Sequence, residues 1–167
     1  MIERSVGHAT FVIRRSYAAP PRCVFHAFAD AAIKRRWFVE GEGWTIDEFT
    51  SDFTVGGRER SRFRFGDGPT MTNDTIYLEI VPNERIVFSY TMTVSGTPIS
   101  ISLGTLQFAA DSAGTRLVYT EQSAFLDRPD DAGERNVGCY ALLQPLADER
   151  EQAPGQREIV GVPRFPL

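Results

Sequence analysis

The sequence has few of the residue types that build metal sites, disulfide frameworks or strongly basic surfaces. Its 167 residues include two cysteines and two histidines, and Lys34 is the one lysine among 18 basic residues. Two cysteines cannot form a disulfide framework in a chain of this length, and a three-histidine metal site is excluded by count. The net charge of −4 argues against a surface built for nucleic acid.

Long apolar stretches are also missing. No run approaches the roughly 18 residues of a membrane span, and the N-terminus lacks the apolar core of a signal peptide. We therefore expect a cytoplasmic protein without membrane insertion. A chain of 167 residues with 42% hydrophobic residues suits one domain with a moderate core. We expect that domain at 1–150 and an irregular tail at 151–167.

The periodicity predicts one strand, two short helices and about six further strands. Residues 9–17 are rich in β-branched and aromatic residues, as strands are. Pro20 and Pro21 suit the first turn of a helix, and Asp30 suits the N-cap of a second one. The later strands are predicted at 44–51, 58–65, 70–81, 85–94, 99–109 and 115–122.

Two features of these strands predict details of the structure. Gly56 and Gly57 interrupt the pattern, where the backbone needs a positive φ or a close approach. The strand after them alternates arginine with apolar or small residues, as a half-exposed antiparallel strand does. Its arginines could bind an anionic partner, although a solvated outer face is the commoner case; they are Arg58, Arg60, Arg62 and Arg64.

The C-terminal part predicts one long helix. Asp131 and Glu134 have the spacing of a capping box, and an amphipathic stripe follows them, although Pro145 should kink the helix. Strands that are separated from helices in this way indicate the α+β class. The long helix would cover the inner face of a curved antiparallel sheet of six to seven strands. The stripe consists of Cys139, Leu142, Leu143, Leu146 and Ala147.

A succession of short motifs runs through residues 8–147 and resembles the SRPBCC superfamily of START-like and pollen-allergen-like proteins. Within it, the chain is most similar to the C-terminal domain of heat shock protein 90 ATPase activators. Each motif is weak by itself, but their order and spacing are specific. The motifs are Phe11–Arg15, Ala19–Phe28, Arg36–Phe38, Phe53–Gly57, Glu79–Val87 and Gly114–Leu117.

This resemblance implies a helix-grip fold, in which a sheet wraps a long C-terminal helix around a deep, mostly apolar cavity. Members bind lipids, sterols, polyketides or hormones, and a minority catalyse cyclisation, dehydration or hydrolysis, so the fold does not give the function. No cofactor is expected. The sequence departs from the family at Pro145 and at residues 148–167, which are either a genuine extension or an altered reading frame.

Aromatic residues are the main candidates for ligand binding, because apolar pockets are lined by such groups. Ordinary core packing is the alternative for each of them. Tyr77, Tyr90 and Tyr119 are the better candidates, since a buried hydroxyl needs a partner that a ligand can supply. The candidate set is Trp37, Trp44, Phe53, Phe63, Phe65, Tyr77, Phe88, Tyr90, Tyr119 and Phe125.

Glu121 is the first candidate for catalysis, with His8 assisting. By alternation Glu121 shares a face with Tyr119. If that face is the inner one, desolvation raises its pKa and it can act as a general acid or base; otherwise it is a solvated or paired carboxylate. His8 lies either at the pocket mouth or in solvent. Glu79 and Asp127 admit the same two readings as Glu121.

A metal site has little support. Cys23 and His26 are three residues apart on a predicted helix and could share one ion. Cysteines that act as small buried hydrophobes are more typical, so no metal is expected.

Three functions are compatible with the sequence. The first is binding of a small hydrophobic or aromatic molecule in the cavity. The second is an enzyme of the cyclase, dehydratase or hydrolase type that uses the same cavity. The third is a protein-interaction module of the co-chaperone kind, which would need an exposed patch. A homodimer is compatible with all three.

Overall fold

The computed structural model describes residues 4–127 together with Cys139 and Leu143. Apart from these two residues, the predicted C-terminal helix lies outside the part of the chain that the structure describes. The elements are β1 (Val6–Tyr17), α1 (Pro21–Ala29), α2 (Ala31–Phe38), β2 (Trp44–Ser51), β3 (Arg58–Phe65), β4 (Met71–Val81), β5 (Arg85–Val94), β6 (Thr97–Asp111) and β7 (Gly114–Leu126). They confirm the predicted order of strand, two short helices and six strands.

The seven strands form one curved antiparallel sheet in the order β1-β7-β6-β5-β4-β3-β2. Strands β2 to β7 follow one another as a meander, and β1 pairs with β7 at one edge from Val6 opposite Leu126 to Tyr17 opposite Thr115. The predicted α+β class is therefore confirmed. Strands β6 and β7 are several residues longer than their sequence patterns indicated.

The glycine pair before β3 has the conformation that the sequence predicted. Gly56 has a φ of 82°, and a side chain on Gly57 would collide with the carbonyl oxygen of Asp52. Gly56 N–H donates to the Tyr77 carbonyl, and Tyr77 N–H donates to the Gly57 carbonyl. The pair therefore joins the sheet beside β4 and holds the backbone of Tyr77.

The two helices cover one part of the inner face of the sheet. The rings of Phe25 and Phe28 in α1 each pack edge-on against Phe108 of β6, at 5.5 and 5.6 Å between centroids. The Asp30 side chain accepts a hydrogen bond from Ile33 N–H and so caps α2, as predicted. Trp37 of α2 donates its indole N–H to the Ala27 carbonyl, which ties the helices together.

The outer face of β3 is a charged surface. All four of its arginines are exposed, and Arg60 pairs with Asp74 at 2.7 Å. Within residues 4–127, no helix has the length and apolar character needed to cross a membrane.

Candidate functional site

The inner face of the sheet changes character along its strands. One half carries large apolar residues such as Ile86, Leu106 and Leu117, which form the core with α1 and α2. The other half, which we call the polar half, carries buried or half-buried residues with hydrogen-bonding side chains. These residues are Ser61, Asn73, Thr75, Ser100, Ser102, Glu121 and Ser123. A buried surface of this kind is unlike an ordinary hydrophobic core, because each polar group there needs a partner.

Glu121 of β7 lies at the boundary between the two halves and is fully buried. Tyr90 donates its hydroxyl to Oε1 of Glu121 at 2.6 Å, and Tyr119 donates its hydroxyl to Oε2 at 2.5 Å. The Cys139 thiol also contacts Oε2 at 3.4 Å. Side chains from β5, from β7 itself and from the C-terminal segment therefore contact the Glu121 carboxyl group.

Two serines extend this cluster into the polar half. Ser123 donates its hydroxyl to Oε1 of Glu121 at 2.7 Å. The oxygens of Ser102 and Ser123 are 2.8 Å apart. Because the single proton of Ser123 is used on Glu121, Ser102 must be the donor in that second bond. The result is a directed chain of hydrogen bonds from Ser102 through Ser123 to Glu121.

The local sequence explains how the cluster is assembled. Gly104 of β6 lies directly opposite Glu121, and a side chain there would collide with the ring of Phe88. The Phe88 ring occupies this space and stacks on Tyr119 and Tyr90, with interplanar angles of 7° and 30°. The stacking fixes both tyrosine rings, which is why both hydroxyls reach the same carboxyl group.

The environment keeps the Tyr119 hydroxyl protonated. Burial raises the pKa of Tyr119 well above its ordinary value of 10, and the neighbouring acidic groups of Tyr90, Cys139 and Glu121 raise it further. Tyr119 is therefore a permanent donor to Glu121 near neutral pH. The phenolic oxygen of Tyr119 still has lone pairs, so it can accept a hydrogen bond from another group.

A second buried carboxyl group lies under α2. Lys34 places its ammonium group 2.6 and 2.8 Å from the two oxygens of Glu59. The hydroxyls of Tyr77 and Ser51 both donate to Oε2 of Glu59, at 2.6 and 2.9 Å. The ion pair between Lys34 and Glu59 thus links α2 to β3.

The electrostatics of this second cluster fit a structural ion pair. Burial alone would lower the pKa of Lys34, but the adjacent Glu59 and the Tyr77 hydroxyl outweigh it, so that the pKa of Lys34 is raised. Lys34 therefore stays charged and does not supply a nucleophilic amine. Glu59 and Glu121 stand on β3 and β7, four strand spacings apart, or roughly 19 Å along the sheet. They cannot act as a catalytic pair.

The family model described as "Activator of Hsp90 ATPase homolog 1-like protein" matches residues 18–149. The chain belongs to this family. The family is part of the SRPBCC superfamily, which confirms the sequence resemblance. No protein of curated function matches the chain.

Several solved structures share the family fold. The Mll3558 protein from Rhizobium loti is 50% identical, with a TM-score of 0.81, over 87% of this chain and 99% of that chain. An uncharacterised protein from Rhizobium leguminosarum is 41% identical, with a TM-score of 0.83, over 87% and 95% of the two chains. The CV1439 protein from Chromobacterium violaceum is 27% identical, with a TM-score of 0.68, over 86% and 99%.

In this member of the Hsp90 ATPase activator-like family, the predicted aromatic residues fall into separate groups. Phe88, Tyr90 and Tyr119 surround Glu121, and Phe125 is buried on the same face of β7. The others lie elsewhere: Trp37 packs on Phe28, Phe53 packs on Tyr77, and Trp44 contacts Phe63 and the half-exposed Phe65.

The structure does not bring His8 to Glu121. His8 is exposed on the outer face of β1, whereas Glu121 is on the inner face of β7. His8 lines a groove with Thr10, Gln122 and Leu103, and residues Ser102 and Ser123 also contribute to its lining.

The remaining candidates have local partners. Arg85 makes two hydrogen bonds to Glu79, which lower the pKa of that exposed carboxyl group. Asp127 accepts hydrogen bonds from Arg4 and from Ser5 N–H. On α1, Cys23 packs against the core while His26 is exposed beside Asp30. Among the described residues, no three potential metal ligands cluster.

Sequence reasoning missed Lys34, Glu59 and the pair Ser61 and Asn73. Glu59 alternates with Ser61 and Phe63, and this signal would have placed it on the inner face. A single lysine carries no local sequence signal that would mark it as part of a buried pair. Its pairing with Glu59 is visible only in three dimensions.

Proposed function

We propose that this protein binds a small, largely apolar or aromatic molecule on the inner face of its sheet. The supporting observation is the cluster in which Glu121 fixes the hydroxyls of Tyr90 and Tyr119 beside the stacked ring of Phe88. The proposal also draws on the family, whose fold typically binds hydrophobic ligands.

The role of Glu121 in this proposal is to orient the two tyrosines. The hydroxyl proton of Tyr119 is committed to the carboxyl group, so the lone pairs of its phenolic oxygen can accept a hydrogen bond from a donor on the ligand. The ring of Phe88 offers an aromatic surface next to them. The site would thus recognise an aromatic or alicyclic skeleton that carries a hydroxyl or amine.

Native mass spectrometry of the purified protein, with solvent extraction of bound molecules, tests this proposal. We expect a bound apolar molecule, or micromolar binding to a member of a panel of sterols, fatty acids and aromatic polyketides. Glu121→Gln and Tyr90→Phe should each weaken binding at least tenfold, since each removes an orienting hydrogen bond. Glu79→Gln makes the same chemical change at an exposed ion pair and should leave binding unchanged.

An enzyme that works on the same inner face is the second candidate, favoured by the chain of hydrogen bonds from Ser102 through Ser123 to Glu121. Such a chain can supply or remove a proton at a buried carboxyl group. Conversion of the extracted molecule by wild-type protein, lost in Glu121→Gln, would identify an enzyme. Tight binding without conversion would identify a carrier.

A further inference from the structure

Ser61 of β3 has a buried hydroxyl group with no partner. Its side chain is on the inner face of the sheet, and the residue is only 1% exposed. Its Oγ makes no hydrogen bond within the structure. An unpaired buried hydroxyl destabilises a protein, so its presence calls for an explanation.

Asn73 of β4 lies directly opposite Ser61 in the register of the sheet. Paired side chains at such positions have Cβ atoms about 5 Å apart, yet no hydrogen bond joins these two. The amide oxygen of Asn73 accepts a bond from the Thr75 hydroxyl at 3.0 Å. The amide group of Asn73 is therefore oriented with its oxygen toward Thr75, and its nitrogen keeps two donors for another group.

Three apolar side chains flank this pair within the polar half. Phe63 follows Ser61 on the same face of β3, Phe49 of β2 lies opposite Ser61, and Met92 of β5 lies opposite Asn73. Hydrogen bonds that form in such an environment are stronger than in water. The ligand atom that fits is an acceptor carried on an apolar skeleton.

The charge of the region favours a neutral acceptor. Lys34 is the only buried cation among the described residues, and its charge is matched by Glu59 at 2.6 Å. A carboxylate or phosphate would therefore be buried here without a counter-ion, which is strongly unfavourable. A carbonyl or ether oxygen needs only the two donors.

We propose that Ser61 and Asn73 form a subsite that binds a neutral carbonyl or ether oxygen of the ligand. The inference rests on the proposed function and specifies the ligand as an oxygen-bearing apolar molecule. Strands β3 and β5 are two spacings apart, roughly 10 Å, so one fused-ring molecule can reach both this subsite and Tyr90.

The test compares two aromatic probes of the same shape, 9-fluorenone and fluorene, which differ by one carbonyl oxygen. Equilibrium dialysis of the full chain measures both dissociation constants. We expect 9-fluorenone to bind about tenfold more tightly than fluorene. Ser61→Ala should abolish this preference and leave fluorene binding unchanged, and Asn73→Ala should reduce the preference. Ser89→Ala, on the outer face of β5, is the matched control and should keep the preference for 9-fluorenone.

The unliganded protein gives an independent readout. Ser61→Ala removes a buried hydroxyl that has no partner, so it should raise the melting temperature of the ligand-free protein. A substitution that stabilises the protein and also removes a binding preference is the expected mark of a functional polar group. A lower melting temperature with an unchanged preference would show that the hydroxyl serves the fold, and would overturn the subsite.

The outcomes separate the two proposals. Equal affinity for both probes, unaffected by Ser61→Ala, would overturn the subsite and leave ligand binding in place. Failure of both probes to bind at their solubility limits would overturn the subsite, and it would leave the proposed function in place if a member of the sterol, fatty acid and polyketide panel still bound.

Discussion

The hydroxyl protons of Tyr90 and Tyr119 both point at one buried carboxyl group. This geometry makes the cluster sensitive to the loss of a single oxygen atom. Tyr90→Phe should destabilise the protein by about 2 kcal/mol, because a donor to a buried carboxyl group is removed while the acceptor remains. Urea unfolding measures the change. Ser89→Ala is the control, and an equal loss in that variant would show that the effect is not specific to the cluster.

Lys34 and Glu59 form a buried pair whose contribution depends on both partners. Lys34→Met leaves Glu59 buried without its cation and should destabilise the protein by about 3–5 kcal/mol. Adding Glu59→Gln should recover a large part of this loss, since no charge is then left buried. The four proteins of this cycle are compared by urea unfolding.

The exposed pair of Arg60 and Asp74 provides the contrast for that cycle. Both side chains are about half exposed, so Arg60→Met should leave the stability nearly unchanged. If the Lys34 variant were as mild as the Arg60 variant, the buried pair would not hold α2 to the sheet.

At the scale of elements, Gly104 determines how β6 supports the site. An alanine there would place its Cβ against the ring of Phe88, which is held by Tyr90 and Tyr119 on either side. We expect Gly104→Ala to destabilise the protein by about 1–3 kcal/mol through overpacking and to alter the near-ultraviolet circular dichroism of the stacked rings.

Gly7 of β1 is the matched control for Gly104. A side chain at Gly7 would meet no atom within 4 Å, so Gly7→Ala should leave both the stability and the aromatic signal nearly unchanged. A normal aromatic spectrum in Gly104→Ala would contradict the proposed packing of Phe88.

The elements themselves were largely predictable from local patterns. Alternation located β3 and placed Arg58 and Arg60 on its outer face, and Asp30 marked the start of α2. Alternation also put Glu121 on the same face as Tyr119. It could not say which face was inner, because that depends on how the whole sheet curves and which strands are neighbours.

The candidate site was less predictable because its contacts join distant strands. The partners of Glu121 include Tyr90, which is 31 residues away. The unpaired hydroxyl of Ser61 depends on an arrangement with Asn73 that no local pattern records. The serines beside Glu121 were not predicted either, since small polar residues carry no periodic signal of their own.

At the scale of the whole molecule, several buried groups hold their protons more tightly in the folded state. Burial raises the pKa of Tyr17, Tyr77 and Tyr119, and the pairing with Glu59 raises the pKa of Lys34. A group whose pKa is raised on folding makes its full contribution to the stability of the folded state at pH values below its ordinary pKa. That ordinary pKa is about 10 for tyrosine and lysine. The stabilisation is lost as the pH rises through the folded-state value.

The protein should therefore keep its stability up to about pH 10 and lose it in the alkaline range above that. Phenolate absorbance measures how many tyrosines ionise, and far-ultraviolet circular dichroism followed on the same samples measures unfolding. We expect the three raised tyrosines to ionise only together with unfolding. Full ionisation of all five tyrosines near pH 10 in a protein that remains folded would contradict this. Such a result would mean that the Glu121 and Glu59 clusters are open to water. It would then contradict the proposal that the inner face shields an apolar ligand from water.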